Sequence, residues 1–379
     1  MSFSEWVFRI PWSVIAAAAL LVALGWLGIA RAEALAEGSG RFLRQQVVFS
    51  FVAAAALAAA AAFPYRILIR WAFAAFAVSL VLLVAVYFFP PINNAHRWIR
   101  LGPVGFQPSE LAKVAYVLAL ARYLMFRDSY RRFGGMLLPL VLTLVPVVLI
   151  LREPDLGTAM VFLPVFFVVL FAAGARRRDL ALLALAGLAT VPLLWVQMSR
   201  EQRSRVTALF EQAGPGETPN DDTYHLRQAK QMLALGQTWG SLVRGPAVDD
   251  PAAYRLPEAR SDFVFCVLGE RLGLPGLTLV LGLYTVILWR GLAVAAATGE
   301  PFGRLVAVGV VAMFAVQAVI NTAMTVGLLP VTGLSLPLVS YGGSGLLAHG
   351  LLLGLLTNVA LRPGYEVSRE PFRHRLEGV

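Results

Sequence analysis

Long apolar runs set close together constrain this chain more than any single residue does. Ten can be read, over residues 11–30, 47–63, 67–89, 111–126, 136–151, 157–174, 179–197, 263–289, 305–328 and 337–361. A helix needs roughly 20 mainly apolar residues to cross about 30 Å of hydrocarbon, and most of these runs approach that length. The fourth and fifth are short, and the eighth contains Glu270 and Arg271. Only 14% of the residues are charged and 58% are hydrophobic, whereas soluble domains carry about 25% charged residues. The pattern predicts an all-α integral membrane protein, a polytopic bundle of about ten transmembrane helices. The spans follow one another too closely for separate soluble domains, so residues 1–379 read as one membrane domain.

Orientation follows from Arg and Lys in the short loops. With the N-terminus inside, the inner segments hold 16 such residues, among them Arg127, Arg131, Arg132, Arg369, Arg373 and Arg375, and the short outer loops hold 7. Both termini are therefore expected to be cytoplasmic, with one large extracytoplasmic loop over 198–262. Ala30-Arg31-Ala32 resembles a signal-peptidase site, but the preceding apolar stretch is long for a signal peptide and nine spans follow, so it reads as a retained span. The net charge of +10 sits at span ends, where it fixes orientation and meets anionic lipid headgroups. No nucleic-acid motif accompanies it. Cys266 is the only cysteine, which excludes an intramolecular disulfide.

The long loop is mixed. Segment 198–212 places Val206, Leu209 and Phe210 on one helical face, suited to lying on a membrane surface. Segment 213–222 is a breaker run, 223–235 reads as helix, and 244–258, with Pro246, Pro251 and Pro257, reads as irregular.

A charge at the bilayer centre costs about 2.5–3.5 kcal/mol on insertion scales, so charge near the membrane needs a partner or a task. Four polar clusters fall on the outer side. In 93–113, turn residues lead to Pro108-Ser109-Glu110; Ser109 reads as a helix N-cap, and Glu110 and Lys113 share a helix face and can pair. This is either a capped helix with an ordinary ion pair or a charged pair facing a polar cavity. Glu153-Pro154-Asp155 separates two spans; Asp155 can cap the second, and two carboxylates at a membrane mouth can also hold a divalent cation. Asp262 precedes the eighth span, where it is either a helix N-cap or a carboxylate that ligates metal or deprotonates a sugar hydroxyl. In 327–345, Pro330, Gly333 and Pro337 break a helix at membrane depth, which is tolerated only where protein buries the backbone or water lines it. The four histidines lack zinc spacing, and neither a nucleophile elbow nor a P-loop occurs.

These clusters resemble the SEDS family (shape, elongation, division and sporulation), whose members include RodA and FtsW. The matching stretches are Arg97-Trp98-Ile99 through Phe106-Gln107-Pro108-Ser109-Glu110-Leu111-Ala112-Lys113; Pro154-Asp155-Leu156-Gly157-Thr158-Ala159; Leu256-Pro257-Glu258 with Asp262-Phe263 and Gly269-Glu270; and Gly327-Leu328-Leu329-Pro330-Val331-Thr332-Gly333 through Pro337-Leu338-Val339-Ser340-Tyr341-Gly342-Gly343-Ser344. Two departures stand out: the family's Gly-rich stretch in the outer loop is reduced to Gly236-Gln237-Thr238-Trp239 and Arg244-Gly245, and Ser261 stands where Thr is usual.

The resemblance implies a glycosyltransferase of the cytoplasmic (inner) membrane that joins lipid II units into glycan strands by inverting β-1,4 transfer. It implies a class B penicillin-binding protein as partner, together with other elongation-complex membrane proteins. The short N-terminus points to the elongation type, serving rod shape. Asp262 corresponds to the family's essential aspartate and is assigned to the acceptor hydroxyl, or alternatively to a metal. Lys113 and Arg97 would meet the diphosphate, with Glu110 orienting Lys113. Asp155, Ser340 and Tyr341 complete the substrate-binding set. Mg²⁺ or Mn²⁺ held by carboxylate and phosphate is expected, with no organic cofactor. Two other functions compete: a lipid II flippase, which would show inverted repeats where none is found, and a scaffold recruiting a penicillin-binding protein, which leaves the outer carboxylates unexplained.

Overall fold

The computed structural model describes residues 9–91, 95–101, 104–125, 133–210 and 221–364. Most of the breaker run, residues 213–220, lies outside them, as do Arg127, Arg131, Arg132, Arg369, Arg373 and Arg375 of the inner count.

Helices form where the apolar runs predicted them. They are α1 (Trp12–Leu35), α2 (Arg41–Ala62), α3 (Tyr65–Ala85), α4 (Pro108–Met125), α5 (Leu137–Arg152) and α6 (Leu156–Ala173). After these come α7 (Arg177–Ala189), α8 (Val191–Gln197), α9 (Arg200–Phe210), α10 (Asp221–Gly236), α11 (Ser241–Arg244), α12 (Val264–Ala297), α13 (Pro301–Val326) and α14 (Gly343–Leu361). Among the described residues, eight helical segments are long and apolar enough to cross a membrane. The protein is thus an all-α, multi-pass membrane protein. Large apolar side chains such as Phe51, Trp71, Val81 and Trp289 point outward and exposed, a surface that suits lipid and not water.

The two other expected spans differ for physical reasons. Helix α4 carries Glu110, Lys113 and Arg122, yet nearly all its side chains are buried, so protein rather than lipid surrounds it. The seventh run is divided at Thr190 into α7 and α8, with Pro192 in the first turn of α8, where its missing N–H costs nothing. The tenth span begins at Gly343 rather than residue 337, because the backbone from 328 to 342 is non-helical. The eighth runs on to Ala297 and is kinked at Gly273, φ 66°, two residues before Pro275.

Small residues set the packing of the bundle. Helix α14 lies along α2, and a Cβ at Gly350 would run into the Ala53 carbonyl. Such glycines let helix backbones approach closely, where lipid supplies no hydrophobic drive. Gly25 of α1 likewise abuts the Val339 carbonyl, so α1 braces the non-helical segment before α14.

Part of the 93–113 polar region takes a form the sequence did not suggest. Ile99–Leu101 (β1) and Val104–Phe106 (β2) pair antiparallel, with Ile99 opposite Phe106. Residues 93, 94, 102 and 103 of this cluster lie outside the described set. Helix α10 confirms the helical reading of 223–235; it buries Leu226, Ala229 and Met232 with Phe263 and Cys266. Helix α9 leaves Phe210 exposed, in keeping with an amphipathic surface helix.

Candidate active site

The N-termini of α4, α6, α12 and α14 converge on one cavity of about 450 Å³. Asp262, Glu110, Arg97, Asp155, Ser340 and Tyr341 all line it, joined by Gln45, Gln107, Arg205, Glu258, Arg260 and His349. Six of the seven site residues expected from sequence therefore meet at a single place, although they come from segments far apart in the chain.

Lys113 stands behind that wall. Its ammonium is buried, donating to Glu110 Oε1 at 2.7 Å and to Gln317 Oε1 at 2.9 Å. The predicted i,i+3 pair forms, and it neutralises the charge of a carboxylate whose other oxygen, Oε2, has no hydrogen-bond partner among the described residues. Ser109 is not the N-cap expected of it. Helix α4 begins at Pro108, and Ser109 Oγ, inside the first turn, is buried without a partner among the described residues.

Asp155 is the N-cap of α6, accepting from Thr158 N at 3.1 Å and Thr158 Oγ1 at 2.9 Å. Gln107 Nε2 adds a third donor at 3.2 Å, which ties β2 to α6. Arg97 Nε donates to the Glu153 carbonyl at 3.0 Å, and Nη2 donates to Pro154 O, so the hairpin is pinned to the 153–155 turn. The Glu153 carboxylate is buried with both oxygens unpartnered among the described residues. Burial, with the charge of Asp155 nearby, pushes its pKa up to about 8.

Asp262 does no capping. The N-cap of α12 is Phe263, with no side-chain bond. The Asp262 carboxylate has no hydrogen-bond donor among the described residues and sits half-buried on the cavity wall. Desolvation first, then the charge of Glu258, raises its pKa to about 7, against the opposing pull of Arg205. Gly333, at φ 70°, has no Cβ to crowd it; one would lie 3.4 Å from Asp262 Oδ2.

The non-helical segment before α14 holds Asp262 in place. Asn321 Nδ2 donates to the Asp262 carbonyl at 2.9 Å and to Leu334 O at 2.6 Å. Ser340 Oγ donates to Ser261 O and accepts from Leu336 N at 2.8 Å. Tyr341 N donates to Arg260 O at 2.9 Å. From the other side, α2 brings two residues the sequence reading missed. The Gln46 amide donates to Ser340 O and accepts from Gly342 N, both at 3.1 Å, while Gln45 Oε1 accepts from Tyr341 OH at 2.7 Å. No motif announces this pair; two glutamines within an apolar helix are the only signal.

The cavity pairs a high-pKa carboxylate with the three guanidinium groups of Arg97, Arg205 and Arg260. Such a set can deprotonate or orient a hydroxyl while stabilising a multiply charged anion.

A family model described as cell cycle protein, FtsW/RodA/SpoVE, matches residues 9–363. The chain belongs to this family. It is 36% identical over 303 residues to the Escherichia coli peptidoglycan glycosyltransferase MrdB, covering 78% of this chain and 79% of that one. It is 33% identical over 327 residues to a probable peptidoglycan glycosyltransferase FtsW of Trichlorobacter lovleyi, covering 84% and 83%. Among solved structures, a peptidoglycan synthase complex, studied for its coordination of polymerization and crosslinking, holds a similar chain at TM-score 0.79 and 33% identity, covering 94% of this chain and 98% of that one. The Thermus thermophilus rod shape determining protein RodA matches at TM-score 0.70 and 31% identity, with the same coverage.

Proposed function

We propose that this protein polymerises glycan strands from lipid II at the outer face of the cytoplasmic membrane, with Asp262 acting on the acceptor hydroxyl. It is an enzyme, a peptidoglycan glycosyltransferase, as its curated relatives are named. The observation that carries the mechanism is the Asp262 carboxylate itself: without a hydrogen-bond donor among the described residues, at the wall of a polar cavity, with its pKa raised to about 7. A carboxylate poised there accepts a proton far better than one near 3.9.

In this reading the acceptor sugar's C4 hydroxyl gives its proton to Asp262 as its oxygen attacks C1 of the donor. The bond from C1 to the diphosphate oxygen breaks with inversion, so an α-linked donor yields a β-1,4 product. Arg97, Arg205 and Arg260 face the departing lipid diphosphate, and the Lys113–Glu110 pair supports the wall from behind. Asp262 also suits a divalent cation that draws most of its ligands from phosphate and water, as Mg²⁺ does; among the described residues no cluster of three acidic, His or Cys groups forms a protein cage. When bound, such an ion would neutralise charge on the leaving diphosphate.

Kinship to a chain in a synthase complex supports a crosslinking transpeptidase as partner. The chain resembles relatives named FtsW and MrdB alike, and we propose the elongation role on its likeness to a rod shape determining protein. The test is polymer formation from lipid II by the purified protein. Asp262→Ala and Asp262→Asn should abolish product while leaving the melting temperature intact. Wild-type rates in either folded variant would defeat the assignment.

A further inference from the structure

The mechanism leaves two groups on the cavity wall unused, Glu110 Oε2 and His349 Nε2. Both residues are over nine-tenths buried, both line the cavity, and neither atom has a hydrogen-bond partner among the described residues. A buried polar atom left bare costs about 1–3 kcal/mol, so a pair of them facing one space calls for a ligand.

Their chemistry restricts that ligand. The His349 ring hydrogen-bonds the Gly345 carbonyl one turn earlier in α14. Since Nε2 is the unpartnered nitrogen, Nδ1 makes that bond, and the neutral ring then presents Nε2 as an acceptor. Glu110 Oε2 is also an acceptor, while Oε1 is committed to Lys113. The site therefore offers two acceptors and needs donors. A metal ion would satisfy two acceptors, but the Lys113 ammonium, 2.7 Å from Glu110 Oε1, already balances the carboxylate and repels a second cation. A neutral donor fits the charge.

Gly345 keeps the space beside Glu110 Oε2 open. A Cβ there would lie 3.5 Å from Glu110 Oε2 and 3.9 Å from Ser335 Oγ. His349 is six residues into α14, roughly 9 Å along its axis at 1.5 Å per residue, which puts this end of the cavity deeper than the turn that bears Asp262.

We propose that Glu110 Oε2 and His349 Nε2 form an acceptor-only subsite at the deep end of the cavity, which receives hydroxyl or amide N–H groups of the bound sugar. It rests on the glycosyltransferase reading for the identity of that sugar. His349 holds substrate and takes no proton from it. Glu110 serves both as counter-ion of Lys113 and as half of the subsite.

The test uses the full-length protein in lipid nanodiscs with lipid II. His349→Phe keeps the ring volume against Phe314, whose centroid lies 5.3 Å away, and removes the acceptor. Gly345→Ala fills the gap at ordinary van der Waals distance. Each should raise KM and the directly measured Kd for lipid II by about five- to tenfold, the worth of roughly one hydrogen bond, with a smaller fall in kcat. His349→Gln, which keeps an acceptor, should stay nearer to wild type than His349→Phe. Unchanged KM and Kd in folded His349→Phe and Gly345→Ala would overturn the subsite, as would equal losses in the Gln and Phe variants. Mn²⁺ binding by the wild type that His349→Phe abolishes would overturn it in favour of a cation site. A wild type that binds lipid II with the predicted His349 dependence but forms no polymer would defeat the polymerase reading and leave the subsite standing.

Discussion

The sharpest perturbation is pH, because Asp262 is poised where an ordinary aspartate is not. Its pKa is raised to about 7, chiefly by desolvation and then by Glu258. If it must be ionised to accept the hydroxyl proton, kcat/KM follows the ionised fraction. For a group near 7 that fraction is roughly 10% at pH 6 and 90% at pH 8, a rise of about ninefold, whereas an aspartate near 3.9 would change by about 1%. Initial rates of glycan formation, measured at subsaturating lipid II from about pH 5.5 to 8.5, read the limb directly. The substrate's own phosphates can titrate nearby, so the assay needs a second arm. Glu258→Gln removes the like charge while leaving an amide oxygen to accept the 2.8 Å bond from Ser261 Oγ. The acid limb should then move to lower pH, which substrate ionisation cannot mimic. A flat profile between pH 6 and 8, or a limb that ignores Glu258→Gln, would refute the reasoning.

Other consequences follow from the same geometry. Glu153, ordinarily near 4.5, is raised to about 8 by burial; the fold favours its protonated form, so that stability is complete below about pH 4.5 and lost as pH rises towards 8. Glu153→Gln should raise the melting temperature by an amount that grows across this window, and a pH-independent difference would count against it. Lys113→Met strands a buried carboxylate and should cost about 3–5 kcal/mol in unfolding experiments, most of it recovered in the Lys113→Met/Glu110→Gln double variant; additive losses would contradict the pair. Gln46→Ala leaves Ser340 O and Gly342 N without their side-chain partner, at about 1–3 kcal/mol for a buried group, and should lower kcat more than it raises KM. Gly25→Ala drives a methyl into the Val339 carbonyl and should depress both melting temperature and activity, with wild-type behaviour arguing against close packing of α1 on that segment.

How far the sequence reveals all this depends on the range of each interaction. Apolar runs are local, and a run of about 20 residues leaves few alternatives to a membrane helix, so helix positions were legible to within a few residues over most of the chain. The misjudged ends lie where local pattern and tertiary need conflict. Residues 337–342 are apolar enough to extend a span, but their backbone is instead spent on Arg260 and Gln46, and the Ser340 hydroxyl on Ser261. Short-range chemistry was legible too: Asp155 caps α6 and Glu110 pairs with Lys113, because both depend on spacing within one helix. Spacing misled at Ser109, where Pro108 had already begun the helix.

What stayed hidden is what required two distant segments at once. Gln46 and Ser340 lie 294 positions apart, and nothing in either neighbourhood implies the other. The role of Asp262 shows the same limit from the opposite side. Its place before α12 suggested an N-cap as readily as a catalytic group, and only the placement of Phe263 at the cap, with the carboxylate left bare beside Gly333, separates the two. A capping carboxylate spends its lone pairs on backbone N–H groups and is held ionised. Among the described residues this one has no such donors; it is partly desolvated on the cavity wall, and so keeps the proton affinity that acceptor activation requires. The absence of a local hydrogen bond is thus the property that suits Asp262 to chemistry, and it becomes visible only once every neighbour has been placed.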